Sequence, residues 1–259
     1  MRMDNPVRTR LKDGGVVVGA FITIPAPELV EICGLAGFDF VLIDAEHGPI
    51  SPESAYPMIL AAESRDVTPI ARIGQNDRQV ILKYLDIGIA GVMIPQVNTP
   101  AQARDAVAAM RYSPRGVRGL AGGRGFSYGL AEPAKDLVPI INNRVLSIVQ
   151  FEHIDAMEHL EAILGTPDLD VLFVGPNDLA QSMGFPGEPA HPDVQVAIDK
   201  VCATARGGPV ALATTASDAA AANRNIERGF RMIVASAPSL LATASRQFVQ
   251  QIQRSPIDD

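Results

Sequence analysis

The sequence predicts a (β/α)8 barrel, and three observations carry that prediction. Eight short apolar runs are spaced along the chain, a polar turn follows each, and amphipathic helical stretches separate most of them. Short continuous apolar strands alternating with helices belong to a parallel sheet covered on both faces. Eight such units within 259 residues match the size of this barrel. A doubly wound open sheet is the competing arrangement.

In chain order the runs are Val16–Thr23, Phe38–Ile43, Pro69–Ile73, Gly91–Gln96, Leu146–Glu152, Val171–Gly175, Val210–Thr214 and Met232–Ala235. Helical spacing marks Ala26–Leu35, Gln79–Leu85, Pro100–Met110, Ala156–Leu164, Asp193–Ala205 and Ser217–Gly229. No linker-like run divides the chain, so residues 1–259 are read as a single barrel domain. The stretch from Ser113 to Pro139 holds six glycines and three prolines. Its length and broken pattern predict a lid or binding loop.

Composition narrows the function. Apolar residues make up 47% and charged residues 20%, a globular balance. A net charge of −7 argues against a surface that coats nucleic acid or a polybasic membrane anchor, so an anion must be bound at a local site. Cys33 and Cys202 have no metal or redox spacing and read as reduced core thiols. The charged N-terminal segment has no apolar stretch of the signal-peptide kind, and Val16–Pro25 is too short to span a bilayer. The expectation is a soluble, cytoplasmic protein.

In such a barrel the chemistry gathers at the C-terminal ends of the strands. The second run ends in Asp44, Glu46 and His47, and the third in Arg72. The fourth ends in Gln96, the fifth in Gln150 and Glu152, and Asp178 follows the sixth. Glu152 and Asp178 are oxygen donors of the kind that hold Mg²⁺ or Mn²⁺; helix capping is the other reading for Asp178. Arg72 offers a planar fork for a carboxylate or keto oxygen, and an ion pair with Asp44 is the competing role. His47 is a candidate general base, oriented by Asp44 or another acid. His153 should point away from the lumen. Residues 125–129 fit the G-x-S-x-G pattern, but neither the strand before it nor the helix after it is present, so a serine hydrolase is set aside. Lys83 and Lys200 fall on helices, which disfavours a Schiff-base mechanism.

The motifs GFDFVLIDAEHGP at 37–49, ARIGQND at 71–77 and LDIGIAGVMIPQVNTPAQARDAV at 85–107 are long and specific. So are RYSPRGVRG at 111–119, VQFEHIDAM at 149–157 and DVLFVGPNDLAQSMGFPGEPAHPDV at 170–194. On these the chain resembles the HpcH/HpaI aldolase family, the metal-dependent pyruvate aldolases typified by 4-hydroxy-2-oxoheptanedioate and 2-dehydro-3-deoxyglucarate aldolases. The resemblance implies a barrel of the phosphoenolpyruvate/pyruvate superfamily. It implies Glu152 and Asp178 as ligands of a divalent cation, Mg²⁺, Mn²⁺ or Co²⁺. Arg72 would stabilise a pyruvate enolate, and His47, supported by Asp44, would move protons. Gln150 would orient the metal site, with Gly175 and Pro176 lining the pyruvate carboxylate pocket. Asp86 matches a family acid that reaches the histidine from a neighbouring strand or subunit.

The resemblance also implies a hexamer of paired trimers that exchange a C-terminal helix, here Ser239–Gln251. Its substrates would be pyruvate and an aldehyde. Oxaloacetate decarboxylation, or a synthase of the macrophomate synthase type, is the alternative activity, and a catalytically silent barrel the alternative class. The loops Gly119–Gly129 and Gly184–His191 are expected to face the aldehyde, with Arg124 a candidate for a distal carboxylate.

Overall fold

The computed structural model describes residues 3–130 and 132–252. The elements in order are α1 (Pro6–Lys12), β1 (Val17–Ile22), α2 (Pro27–Leu35), β2 (Phe40–Ala45), α3 (Pro52–Ser64), β3 (Thr68–Ile73) and α4 (Arg78–Asp86). Then come β4 (Gly91–Ile94), α5 (Pro100–Ala109), α6 (Ala134–Arg144), β5 (Leu146–Phe151), α7 (Leu160–Leu164), β6 (Val171–Val174) and α8 (Pro176–Ser182). The chain continues through α9 (Pro192–Ala205), β7 (Ala211–Thr215), α10 (Ala219–Arg228), β8 (Met232–Ser236) and α11 (Ala237–Gln251). All eight strands are parallel and close into a barrel in sequence order, with Val17 of β1 paired to Met232 of β8. Each apolar run becomes one of these strands, its ends within two residues of the expected bounds. The open-sheet alternative is thereby excluded.

Two helices were hidden in the sequence by internal prolines, Pro57 in α3 and Pro139 in α6. The expected irregular stretch is therefore too long at its end, because Ala134 to Pro139 are helical. Within it, Arg124–Gly129 forms a tight 3-10 turn with Ser127 and Tyr128 in the left-handed region. The helix expected over Ala156–Leu164 divides into a 3-10 turn at Ile154–His159 and α7.

The lumen follows from the two-residue period of a strand. Phe40 and Leu42 on β2, Ile70 on β3, and Leu146 and Ile148 on β5 pack inside one apolar cluster. The same stripes continue upward as Asp44, Arg72, Gln150 and Glu152, so the lumen turns from apolar to polar at its C-terminal end. Gly19 on β1 is small because the Phe40 ring lies where its Cβ would stand, 2.3 Å away.

The N-terminal end of the barrel is closed. Val7 and Leu11 of α1 join the lumen cluster, and Asn5 Nδ2 donates to the carbonyls of Ala90 (3.0 Å) and Arg144 (2.8 Å). Arg8 pairs with Asp170 at 2.8 Å, and the fully buried Arg111 lies against the same carboxylate at 3.4 Å. In this fold the chemistry belongs to the other end of the strands. Among the described residues no helix is long and apolar enough to cross a membrane. Cys33 and Cys202 are free and buried.

Candidate active site

Asp44 and Arg72 are register partners on neighbouring strands, so their side chains rise from the lumen side by side. Arg72 Nε donates to Asp44 Oδ1 at 2.9 Å and Nη2 to Oδ2 at 2.6 Å, a bidentate pair with Asp44 1% and Arg72 9% exposed. The Phe21 ring lies 4.6 Å beneath the guanidinium. Among the described residues nothing accepts from Arg72 Nη1, which leaves one amino group for a ligand. The ion pair weighed against ligand binding is thus present, and it leaves the binding role open.

Asp44 also shapes the turn that follows β2. Its Oδ1 accepts the backbone N–H of Glu46 (3.2 Å) and of His47 (3.3 Å). Gly48 closes this turn where any Cβ would strike the Asp44 carbonyl oxygen at 2.4 Å. Asp44 therefore supports His47 through the backbone, while the carboxylate beside the imidazole is Glu46, whose Oε2 lies 4.0 Å from His47 Nε2. Glu46 Oε2 also lies 3.2 Å from Arg72 Nε. Burial pushes the Glu46 carboxyl up, against the pull of Arg72 and His47.

Across the rim, β5 supplies Gln150, and Glu152 follows directly after the strand. Gln150 Nε2 donates to Glu152 Oε2 at 2.6 Å, and the backbone N–H of Gln96 donates to Oε1 at 2.7 Å. Gln96 makes that bond from a left-handed conformation, φ 52°, which costs energy in a residue other than glycine. Gly175, just after β6, packs against this pair: a Cβ there would lie 3.1 Å from both Cβ and Oε2 of Glu152. Burial pushes the Glu152 carboxyl up to about 7, opposed by the Gln96 bond and reinforced by the nearby charges of Asp178 and Glu46. Asp178 lies in the first turn of α8, exposed, with no side-chain bond to a backbone amide. It does not cap the helix, since Gly175 holds the N-cap position.

These residues suit a divalent cation. Three carboxylates, Glu46, Glu152 and Asp178, repel one another electrostatically at one rim. Beside them Gln150 Oε1 is buried with no hydrogen-bond partner. Among the described residues no three His, Cys, Asp or Glu side chains gather into a metal cage. Oxygen donors such as these, with other positions left to water and substrate, are the donor chemistry that a hard divalent cation accepts.

Some expected residues lie elsewhere. Asp86 is the last residue of α4, paired to Arg118 at 2.8 Å, on the N-terminal side of the barrel and away from His47 of the same chain. This removes the neighbouring-strand route for Asp86 within the chain. Arg124 pairs with Glu63 near the end of α3 and donates to the Ile87 carbonyl just after α4. The Gly119–Gly129 loop is thus held at that same end and is no lid over its own rim. His153 caps the turn after β5, accepting from Asp155 N at 3.3 Å. The strand-end reading named Glu46 and Gln96 but gave neither a role. Both sit in turns, where side-chain direction has no period to read.

A profile of the HpcH/HpaI aldolase/citrate lyase family matches residues 18–240. A hydroxypyruvate/pyruvate aldolase from Cupriavidus necator is 34% identical over 100% of this chain and 96% of its own length. A 5-keto-4-deoxy-D-glucarate aldolase from Klebsiella pneumoniae is 34% identical over 78% of each chain. A solved structure of an HpcH/HpaI aldolase/citrate lyase family protein from Burkholderia cenocepacia superposes with a TM-score of 0.90 at 34% identity, covering 95% of this chain and 98% of that one. With a profile match over most of the barrel and a relative aligned end to end, the chain belongs to the HpcH/HpaI aldolase/citrate lyase family.

Proposed function

We propose that this protein is a metal-dependent pyruvate aldolase, a carbon–carbon lyase that cleaves 4-hydroxy-2-oxo acids reversibly to pyruvate and an aldehyde. The observation that carries the reading is the placement of Arg72, locked by Asp44 with one amino group free, at the same rim as the buried Glu152. The aldolase names of the relatives support it.

Glu152 and Asp178 would hold the divalent cation, Mg²⁺, Mn²⁺ or Co²⁺, which when bound supplies Lewis acidity to the substrate's carboxylate and keto oxygens. Gly175 and Pro176 line the place of that carboxylate, and Gln150 fixes Glu152. His47 takes the proton from the 4-hydroxyl. The C3–C4 electron pair passes into the pyruvate enolate as the aldehyde carbonyl forms. Arg72 Nη1 meets the negative charge growing on the keto oxygen, where a preorganised donor accelerates the step. A proton returned to C3 completes pyruvate. Oxaloacetate decarboxylation or a synthase reaction of the macrophomate synthase type would use the same rim, and no observation on the site favours either.

The unit that acts is one barrel domain, and we place it in the cytoplasm, consistent with its free buried thiols. We further propose that it works as a hexamer built by exchange of α11. Among the described positions of α11 only Ala237 is buried, while Leu241 (60%) and Phe248 (69%) are exposed. Such an apolar helix face is covered by another copy of the chain in this reading. Asp86 would then reach His47 only across a subunit boundary.

Pyruvate release from a panel of 4-hydroxy-2-oxo acids, with EDTA or with added Mg²⁺, Mn²⁺ or Co²⁺, tests the reading. Glu152→Gln or Asp178→Asn should abolish both cation binding and turnover while leaving the fold intact; near-normal activity of either in metal-free buffer would refute the assignment. Arg72→Lys should lower kcat by about 100-fold or more with a much smaller change in pyruvate KM. A change confined to KM would reduce Arg72 to an anchor. Light scattering should report a hexamer, and Leu241→Ser with Phe248→Ser should yield smaller species; an unaltered mass would remove α11 from the interface.

A further inference from the structure

Three turns of the chain converge below β7 and β8, at the end of the barrel opposite the Arg72 rim. They are the end of α1, the α9–β7 loop and the α10–β8 turn, and they enclose a cavity of about 450 Å³. Gly207 and Gly229 make two of these turns at φ 77° and 109°, where glycine is favoured. A Cβ at either would meet nothing within 4 Å, so the space beside them is open.

The lining is cationic in a chain whose net charge is −7. Lys12, Arg206, Arg228 and Arg231 border the cavity, and among the described residues Glu227 is its one carboxylate. Arg228 is already engaged: Nη2 donates to Asp199 Oδ1 at 2.8 Å and Nη1 to Gln195 Oε1 at 3.0 Å. Arg231 Nη1 donates to the carbonyls of Ile226 and Phe230 at 3.0 Å each, closing the end of α10. Arg231 Nε and Nη2 have no acceptor among the described residues. Lys12, Arg206 and Glu227 are exposed and make no ion pair or side-chain hydrogen bond among the described residues. Three cations without a carboxylate partner therefore share the cavity with one acid, an excess of two positive charges. Helix capping uses a single nitrogen of this set.

We propose that this cavity binds a small phosphomonoester. Its phosphate meets Lys12, Arg206 and Arg231, and its organic part lies on the apolar wall of Leu11, Val210 and Leu212. A phosphate ester carries about 1.5–2 negative charges at neutral pH and three strong acceptor oxygens, which match the excess charge and the unspent donors. A monocarboxylate such as pyruvate would match only half of that charge. The volume falls within the roughly 300–1,000 Å³ of small-molecule sites. The ligand would tie Lys12, at the end of the α1 plug, to the chain entering β7 and β8. Binding should therefore stabilise the folded chain. Arg72 and Glu152 stand at the other end of the strands, so this ligand does not compete with a substrate at the rim.

Calorimetry on the whole, metal-free chain at low salt tests the site, with glycerol 3-phosphate, inorganic phosphate and glycerol as probes. Glycerol 3-phosphate should bind once per chain, inorganic phosphate more weakly, and glycerol not at all. Lys12→Gln and Arg206→Gln alter exposed side chains and should each weaken binding by about 10-fold or more. Glu227→Gln should strengthen it by about threefold or more, because the one repelling charge is removed. Arg72→Lys should leave it unaltered. Glycerol 3-phosphate should also raise the Tm of wild type and not that of the Lys12→Gln, Arg206→Gln double variant. Absence of binding to wild type overturns the proposal, as does an affinity unaltered in both single variants or lost in Arg72→Lys. Inorganic phosphate bound as tightly as the ester would replace the ester by the free ion. The titration needs no turnover, so its outcome is separate from whether the protein cleaves 4-hydroxy-2-oxo acids.

Discussion

The bidentate bond between Asp44 and Arg72 is the constraint on which the rest of the site depends. Strand register places the two side chains side by side, and burial makes each require the other. A buried ion pair contributes little net stability, but losing one partner leaves an uncompensated charge at a cost of about 3–5 kcal/mol. The pair therefore fixes geometry more than it stabilises the fold. It sets the plane of the guanidinium over Phe21 and keeps one amino group free. Through two further amide bonds to Asp44 it also sets the turn that carries Glu46 and His47.

The opposite half of the rim is built on the contrary principle, with charge left uncompensated. Glu152 is buried among polar neighbours that orient it, and the nearby charges are mostly of its own sign. The carboxylates there repel one another, and the cation proposed for Glu152 and Asp178 would relieve that repulsion. The barrel tolerates this because stability comes from elsewhere. The apolar lumen layer and the α1 plug close the N-terminal end, where buried arginines pair with Asp170. Stabilising contacts and functional ones are segregated to opposite ends of the strands, the division expected of this fold.

All eight strands were legible, because a buried parallel strand is a short apolar run whatever its neighbours. The positions of the candidate residues at the strand ends, namely Asp44, Arg72, Gln150 and Glu152, were legible for a related reason. Each extends an apolar lumen stripe by one more step of two, so its direction follows from the period. What was missed, including the contacts made by Glu46 and Gln96, lies where no period operates. Glu46 and Gln96 belong to turns, α3 and α6 carry internal prolines, and Arg124 is placed by Glu63, far away in sequence. The glycine-rich loop looked like a lid because composition reports that a segment is irregular but not which end of the barrel it covers.

The central claim is that Arg72 acts on the enolate only because Asp44 holds it. The most direct measurement is the rate of pyruvate methyl hydrogen exchange in D2O with saturating Mn²⁺, comparing wild type with Asp44→Asn and monitoring Mn²⁺ affinity in parallel. A freed guanidinium should slow exchange by about tenfold or more while Mn²⁺ binds as before. Exchange at the wild-type rate in Asp44→Asn, with the fold and Mn²⁺ affinity intact, would contradict the account.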